Sequence, residues 1–546
     1  MTARLPFPLV DEISRHCLQD DTPETVHIEV HLPGRLHHEG LRTAFHQALA
    51  RHPRVLVRQL PTRWWHRHYT WQLAPAPDVD PVAFPPPGPD ALTRARTRAL
   101  TDCPPLDAAP PVRLEVIDPP HTTDGPQPAA PTGTVLLFTL HHTALDAPAG
   151  LRILATTADL YRETTQSGPT PPPPTPPPPT ARASRQQART EVRGEGRTEA
   201  ERAERAQRAQ DAERTQRVAP PAPAPALAPL TPSTPSPPSV LSVPSPPSPA
   251  PSPYHPGPLT RPARLAPDHT ATTPHRSTPC SPRPGNGMLL AALPLPARPH
   301  HTHTTGHSPP SPHTVNDQLL VATHLMATHW NALHDRPAAP VIVTMPIDDR
   351  PRGPHMPIGN GTRLTPVAFP PTPTRSPFLP QAPTPTVTHL LHHTATRTRA
   401  LKSATPGPQL GFPSTALTSL PLPVGARRAL TRTLRSLAAP WTPTALLSNI
   451  GRVPYPLDFG DTGGRATAVW FSAPARMPRG LSITTATTRD GDRIHLALRW
   501  SRALLDDAAA ARLLALFRTS LATTASATTP PPPVGAAPRT EGGGTP

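Results

Sequence analysis

Two adjacent histidines and an aspartate form the motif of this sequence that is best suited to chemistry. His141 and His142 close the apolar run LLFTLHH, and Asp146 follows His142 by four residues. A neutral imidazole, with an ordinary pKa of about 6.5, can take a proton from a hydroxyl or amine that attacks a carbonyl. Asp146 is close enough in sequence to brace the turn that orients the ring. The motif is therefore compatible with a general base for acyl transfer.

The competing interpretation is a buried histidine satisfied by a backbone carbonyl. The chain has 28 histidines, and adjacent pairs also occur at 37–38, 300–301 and 392–393, so the dipeptide alone means little. The run HHTATR that begins at His392 repeats the first four residue types of the motif but has arginine in the place of Asp146, and no strand precedes it. Context therefore distinguishes the pair at 141–142.

The elements around the motif are typical of an α/β fold. GTVLLFTL predicts a strand directly before it, and PAGLRILATTADLYR predicts a helix directly after it. TVHIEVHLPG alternates like a half-buried strand, and HEGLRTAFHQALARHP has helical spacing. In the second half, TVNDQLLVATHLMATHWNAL predicts a helix with Asn316 and Asp317 as capping candidates, and GLSITTATTRDGDRIHLALRWS predicts a hairpin. Strand and helix junctions of this kind place side chains at the mouth of a crevice.

Proline divides the chain. The 92 prolines exclude a packed core over much of the length, and SGPTPPPPTPPPPT favours extended polyproline II. The sequence therefore predicts four segments. They are an N-terminal subdomain (1–165), a disordered Pro/Arg-rich insertion (166–284) with a solvated helix at 183–217, a C-terminal subdomain (285–521) and a disordered tail (522–546).

Composition argues against several other functions. The net charge is +16, but the arginines are scattered and lack interleaved aromatic residues, so nucleic-acid binding is not favoured. Three cysteines at unrelated spacings give neither a disulfide framework nor a zinc site. HHTHTTGH, at 300–307, could bind a metal but lacks acidic or thiol partners, so no metal is expected. No apolar run reaches the roughly 18 to 20 residues of a membrane span, and a cytoplasmic monomer is expected.

With this context, HHTALDAPAG resembles the HHxxxD signature of the condensation-domain and chloramphenicol acetyltransferase superfamily, and within it free-standing bacterial condensation-like proteins. Other stretches resemble the family in the same order. They are GRLHHEGLRTAFHQALARHPRVLVR, PLDAAPPVRLEVI, TVNDQLLVATHLMATHWN, MPIDDRPRGPHMPIGNGT and LLSNIGRVPYPLDFG. The shared order is more specific than any one motif.

The resemblance implies a V-shaped pseudo-dimer of two acetyltransferase-like subdomains, with a tunnel that reaches His142 from both faces. It implies a donor that is a thioester of coenzyme A or of a carrier protein's phosphopantetheine arm, and an amine or alcohol acceptor. No bound cofactor is implied. The product would be an amide or ester, as in nonribosomal peptide synthesis, other secondary metabolism or lipid modification. A catalytically silent protein that binds acyl-carrier proteins or acyl chains is the alternative.

The resemblance also assigns roles to single residues. The general base is His142, His141 orients the loop, and Asp146 is structural and pairs with Arg350, with Arg352 as the second choice. Two departures weaken the match, since Ala147 stands where the family has glycine and the proline-rich insertion is not part of its pattern. The remaining assignments are backbone room or a plain helix start at Gly150, substrate or oxyanion positioning or a strand-end turn at Asn449, and a structural motif at Asp458, Phe459 and Gly460.

Overall fold

Fully buried runs of the sequence form the central strands of two large sheets. In the computed structural model, strand β7 (Val135–His141) is buried along its whole length because the two faces of its sheet are both covered. Leu136 and Phe138 belong to a core that includes two long helices, while Val135 and Leu137 pack with alanines of a third helix. Alternate residues of a strand point to opposite faces, which explains this division.

The structure describes residues 3–18, 22–118, 133–166, 254, 256–257, 259–269, 285–295, 313–351, 355–372, 384–404, 409 and 420–527. The chain divides into two compact units, one of residues 1–168 with 252–546 and one of residues 169–251. The second unit lies outside the described residues, and so does the helix predicted at 183–217.

The first half contains four helices and seven strands in its described part. A five-stranded sheet in the order β12-β2-β7-β6-β5 forms its centre, with β12 (Ala468–Ser472) contributed by the second half. A three-stranded sheet has the order β1-β4-β3. The elements are β1 (Arg4–Pro6), α1 (Leu9–His16), β2 (Thr25–His31), α2 (His38–Arg51), β3 (Val57–Gln59), β4 (Thr70–Leu73), β5 (Val82–Ala83), α3 (Ala91–Thr101), β6 (Val112–Ile117), β7 and α4 (Ala147–Gln166).

The second half is built on a six-stranded sheet in the order β10-β9-β11-β13-β14-β8. Strand β11 runs parallel to both of its neighbours, and the other pairs are antiparallel. The elements are β8 (Asn286–Pro294), α5 (Val315–Leu333), β9 (Val341–Asp348), β10 (Thr362–Phe369), α6 (Thr384–Ser403), α7 (Val424–Leu437), β11 (Ala445–Arg452), α8 (Gly460–Gly463), β12 (Ala468–Ser472), β13 (Leu481–Thr487), β14 (Arg493–Ser501) and α9 (Asp507–Ser526).

The two halves share a strand and several buried polar contacts. Strand β12 follows β11 in the second half, yet it pairs with β2 of the first half, from Ala468 opposite His31 to Ser472 opposite His27. The fully buried Arg499 of β14 donates from Nη1 to the carbonyl of Thr25 at 2.7 Å. A subdomain boundary along the sequence therefore does not coincide with the division between the sheets.

Two described segments differ from the predicted segment assignments. Residues 259–269, assigned to the disordered insertion, are packed, and Ala263, Leu265 and Ala266 are buried in the core of the second half. The flanking prolines hide this short apolar segment in the sequence. At the other end, α9 continues to Ser526, beyond the predicted boundary at residue 521, because its apolar stripe still meets the core.

The N-terminal cap of α5 also differs from the sequence prediction. Thr314 is the capping residue, and Asp317 completes a capping box in which each side chain bonds the other residue's backbone N–H. Asn316 instead lies 3.2 Å from the Met345 sulfur through its Nδ2. The cap is therefore two residues earlier than the nearest candidate, because the threonine was read as part of the helix.

Candidate active site

The histidine motif forms the connection between a central strand and a long helix. His141 is the last residue of β7, and Asp146 directly precedes α4; we call residues 142–146 the histidine loop. The amides of Ala144 and Leu145 both bond the carbonyl of His141, at 2.9 and 3.2 Å, which closes the loop into a turn. The backbone geometry thus presents His142 at the end of the sheet.

His142 is held by both of its backbone groups, and the partners come from different halves. Its amide donates to the carbonyl of Glu24 at 2.8 Å, while its carbonyl accepts from Nδ2 of Asn360 at 3.1 Å. In the ring, Nδ1 lies 3.2 Å from the carbonyl of Leu145. A carbonyl can only accept, so Nδ1 carries the proton of the neutral ring and Nε2 has a lone pair available.

The surroundings keep the imidazole of His142 uncharged. Burial lowers its pKa from the ordinary value, and the positive charge of Arg499 lowers it further. The Leu145 carbonyl and the carboxylate of Asp146 raise the pKa but do not reverse the direction. A half-buried neutral ring with an available Nε2 is suited to accept a proton.

The structure pairs Asp146 with Arg350. Nη2 of Arg350 contacts both oxygens of Asp146, at 3.0 and 2.8 Å, so a single guanidinium nitrogen bridges the carboxylate rather than two in parallel. Asp146 also accepts from the amides of Ala149 at 3.1 Å and Gly361 at 2.9 Å. These four bonds saturate the carboxylate and give it a structural role as the cap of α4. Arg352 lies outside the described residues.

His141 is not among the residues that line the cavity described below, and it stabilises the loop. Its Nδ1 accepts from the amide of Thr143 at 3.1 Å. Burial is the main cause that lowers the pKa of His141 to about 3, and the charge of Arg15 acts in the same direction. The ring is therefore neutral over the whole physiological range, and its hydrogen bond orients the loop.

Gly150 allows α4 to approach the sheet closely. A Cβ at this position would lie 2.7 Å from the Cδ1 atoms of Ile28 and Leu140. Carbon atoms in contact are normally about 3.5 to 4.0 Å apart, so any side chain would push the helix away. The glycine thus sets the distance between β7 and α4, the two elements that carry the histidine loop.

Asn449 does not line the cavity that contains His142. Leu446 and Ser448 of β11 do, and Asn449 has the opposite parity along the strand. Its Oδ1 accepts from the amide of Gly451 at 2.9 Å and from Thr485 at 3.0 Å, where β11 forms a bulge. Of the two roles considered for Asn449, the structure supports the strand turn, and Ser448 is the polar group on the cavity side.

The Asp458, Phe459 and Gly460 triplet lies apart from His142. Phe459 is fully buried in the core of the first half, and Oδ1 of Asp458 accepts from the amide of Gly460 at 3.0 Å. Gly460 has a φ of +73°, a conformation that favours glycine. The triplet forms the turn into α8, close to α4.

A cavity of about 330 Å³ contains His142 and is lined by both halves. One face of α1, the histidine loop, the start of β10, strand β11 and the segment after β12 form its wall. The lining is mainly apolar, with a few polar and charged groups. Among the lining residues are Val10, Ile13, Ser14, Glu24, His142, Thr362, Leu364, Leu446, Ser448, Phe471, Arg435, Arg476 and Arg479.

Two residues that no motif in the sequence indicated, Asn360 and Asp11, support the histidine loop. Nδ2 of Asn360 lies 2.9 Å from the carbonyl of Thr143 and 3.0 Å from Oδ1 of Asp11, in addition to its bond to His142. Asp11 is buried, and burial raises its pKa to about 6 despite hydrogen bonds from Asn360 and Trp71. The sequence signal was an asparagine between two glycines in MPIGNGT, which indicated only a turn.

The described residues contain neither a cluster of metal ligands nor a membrane-spanning helix. Within the ranges that the structure covers, no group of three or more His, Cys, Asp or Glu side chains is arranged to hold a metal ion. The histidine-rich run at 300–307 lies outside those ranges. None of the described helices combines the length and the apolar character needed to cross a membrane.

The arrangement of helices and sheets matches solved structures of condensation domains. The starter condensation domain of rhizomide synthetase RzmA, in a mutant bound to C8-CoA and Leu-SNAC, matches with a TM-score of 0.52 and 13% identity, over 97% of this chain and 96% of that chain. The chain has the condensation-domain fold. The condensation domain of Monacolin K polyketide synthase MokA matches with a TM-score of 0.50 and 14% identity, over 96% and 98% of the two chains.

The condensation-domain fold confirms the predicted fold class, a two-part α/β architecture of the acetyltransferase type. At this level of identity the likeness concerns the fold alone. No protein-family model and no curated protein matches the sequence. The chemistry of this chain therefore has to follow from the residues around His142 and not from the fold.

Proposed function

We propose that this protein is a condensation-type acyltransferase. It transfers an acyl group from a thioester of coenzyme A or of a carrier protein to an amine or hydroxyl acceptor. The observation that carries the proposal is the state of His142, a neutral imidazole with Nδ1 committed to the Leu145 carbonyl, on a cavity lined by both halves. A base in such a position can activate a nucleophile that enters the cavity.

In the proposed reaction, Nε2 of His142 takes the proton of the acceptor amine or hydroxyl as its nitrogen or oxygen attacks the thioester carbonyl carbon. The resulting tetrahedral oxyanion collapses, and the carbon–sulfur bond breaks. The leaving thiolate receives the proton from the imidazolium, which restores the neutral ring. The products are an amide or ester and a free thiol, so no oxidant, reductant or metal is consumed.

Other residues of the site position His142 or face the reacting atoms. Two pairs of residues hold the histidine loop in place. They are Asp146 with Arg350, and Asn360 with Asp11. The hydroxyl groups of Thr362 and Ser448 line the cavity and are the candidates to donate to the oxyanion. A bound donor would exclude water from the apolar part of the cavity, which strengthens these polar interactions.

The solved structures favour a thioester donor. A mutant of the RzmA starter domain forms a complex with C8-CoA and Leu-SNAC. The cavity of this chain is mainly apolar, which suits an acyl group. Whether coenzyme A or a carrier protein delivers the acyl group is decided by comparing the two donors with the same acyl chain.

The test is release of free thiol from acyl-CoA and acyl-carrier-protein donors in the presence of mixed amines and alcohols. We expect His142→Ala to lower the rate by about 10²- to 10⁴-fold, the usual contribution of a general base. His392→Ala is a matched control, because His392 begins the look-alike run HHTA but lies exposed on α6. Equal release from wild type and His142→Ala would remove His142 as the base, and release no faster than the protein-free blank would favour a protein that binds acyl groups or carriers without turnover.

A further inference from the structure

Three arginines line one part of the cavity that contains His142. Arg435 lies on α7, and Arg476 and Arg479 belong to the segment between β12 and β13. The wall beside them is apolar, with Ile13 and Phe471 among its members. Cations near apolar surface are costly unless they have a partner, so each arginine needs an explanation.

Two of the arginines have partners within the protein. Arg435 donates to the carbonyls of Cys17 at 3.2 Å and Met477 at 3.0 Å, and thereby caps the end of α1. Arg476 donates to the same Cys17 carbonyl at 3.3 Å and forms an ion pair with Glu24. Their positions therefore follow in part from the architecture of the first half.

Arg479 differs from the other two. No hydrogen bond or ion pair joins its guanidinium to another described residue, and its Nε is buried without a partner. Burial and the charges of Arg476 and Arg435 lower the pKa of Arg479 to about 10, so it remains protonated at neutral pH. Within the described lining, Glu24 is the acid that faces these three cations, since Asp146 is saturated by Arg350. The cluster thus carries an excess of positive charge.

We propose that Arg479, assisted by Arg476 and Arg435, binds an anionic group that the substrate already carries, either a carboxylate or a phosphate. The inference rests on the proposed function, since it names a chemical feature of the donor or acceptor. Arginine suits the task because its planar fork of N–H groups matches both oxyanions.

The position of the cluster relates the anion to the reacting group. The carbonyl of Glu24 accepts the amide of His142 at 2.8 Å, and the carboxylate of the same residue pairs with Arg476. Glu24 therefore links the arginine cluster directly to the backbone of His142, the proposed base. A substrate held there by its anion would present a nearby atom to His142, so the anion would fix the substrate's orientation as well as its affinity.

The experiment measures binding by isothermal titration calorimetry on the full-length protein at low ionic strength. Two probe pairs differ in their anion: coenzyme A against pantetheine, and N-acetyl-leucine against N-acetyl-leucinamide. The variants are Arg479→Gln, Arg479→Lys and Arg489→Gln. Arg489 is the matched control, since it is exposed in the β13–β14 turn outside the cavity.

We expect one anionic probe to bind at least about tenfold more tightly than its neutral counterpart, as is usual for hydrogen bonds to a charged group. Arg479→Gln should abolish this preference, Arg479→Lys should retain part of it, and Arg489→Gln should leave it unchanged. Preference for coenzyme A assigns the phosphate of a donor, and preference for N-acetyl-leucine assigns the carboxylate of an acceptor. If Arg479→Gln fails to fold, as judged by circular dichroism, Arg479→Met keeps the apolar stem and provides the same comparison.

The outcomes separate this inference from the proposed function, because binding is measured without turnover. Loss of the anion preference in Arg479→Gln, with no thiol release from any donor, would refute the acyltransferase and leave the anion site standing. Thiol release that depends on His142, with no preference for either anionic probe or with Arg479→Gln binding like wild type, would overturn the anion site alone.

Discussion

At the scale of single residues, the protonation of one ring nitrogen decides whether the site can act. Nδ1 of His142 faces a carbonyl and must hold a proton, so the charge state of the ring depends on Nε2 alone. Because burial and Arg499 disfavour a second proton, the ring remains a base at lower pH than an exposed histidine would. The hydrogen bond to Leu145 thus fixes the position of the ring, whereas burial and the charge of Arg499 keep it neutral.

This separation predicts a particular pH profile for thiol release. The pKa of His142 is lowered, so the neutral, active form is gained as pH rises through a midpoint below the ordinary 6.5, and the rate is flat above it. Burial raises the pKa of Asp11 to about 6, so its ionisation overlaps this range, and Asp11→Asn removes that contribution. The check is the rate from pH 4.5 to 8 in wild type and Asp11→Asn. A midpoint above 6.5 in both proteins would contradict the assignment.

Arg350 provides the second test at this scale. It is nearly buried and joins Asp146 to Asp348 and to the carbonyl of Gly359, which a single lysine nitrogen cannot reproduce. Arg350→Gln leaves Asp146 without its cation and should lower the free energy of unfolding by about 3 to 5 kcal/mol. Arg350→Lys keeps the charge and should lose less.

Urea denaturation measures both variants against Arg465→Gln. The side chain of Arg465 is 73% exposed and pairs with Asp458, so its removal should cost about 1 kcal/mol or less. A similar small loss in Arg350→Gln would show that the pair with Asp146 does not hold the loop.

At the scale of elements, the close contact between α4 and the central sheet fixes the position of the histidine loop, because β7 and α4 carry its two ends. Gly150→Ala should lower the free energy of unfolding by about 1 to 3 kcal/mol, because the added methyl meets Ile28 and Leu140 at 2.7 Å. It should also reduce thiol release, since α4 carries the Asp146 end of the loop. Gly88→Ala is the matched control, because the nearest atom to its added methyl is 3.9 Å away. Equal stability of the two variants would count against close packing at Gly150.

Local patterns in the sequence were sufficient for the elements that carry the motif. The apolar run before His141 and the helical spacing after Asp146 gave β7 and α4, since both signals come from neighbouring residues. The pairing of Asp146 with Arg350 was expected only through the resemblance, because the two residues are 204 positions apart. Asn360 and Asp11, separated by 349 positions, were missed because nothing local shows that they meet. The two roles open for Asn449 could not be separated from the sequence, because strand parity relative to the cavity cannot be read before the sheet is assembled.

At the scale of the whole molecule, the exchanged strand makes the two halves interdependent. Strand β12 has five residues and was not predicted, because its partner in β2 is more than 400 positions away, as the pair Ser472 and His27 illustrates with a separation of 445. Without β12, β2 would become the edge of its sheet and expose unpaired backbone groups.

We therefore expect a substitution that weakens the packing of β12 to destabilise both halves together. Val469→Ala removes two methyl groups from a residue that is 1% exposed and should lower the free energy of unfolding by about 2 kcal/mol. Hydrogen exchange of the slowest amides in β7 and β14 tests the coupling, since these strands lie in different sheets. Faster exchange in β7 with unchanged exchange in β14 would show that the halves unfold separately.

The anchoring of His142 has a consequence for size selection. One half holds its amide through Glu24 and the other holds its carbonyl through Asn360, so the loop bridges the seam between them. A ligand too wide for the cavity must separate the two halves at this point, and the separation strains both hydrogen bonds at once. An oversized molecule would then displace His142 by the act of entering, so the proposed site would discriminate against bulk without a separate gate.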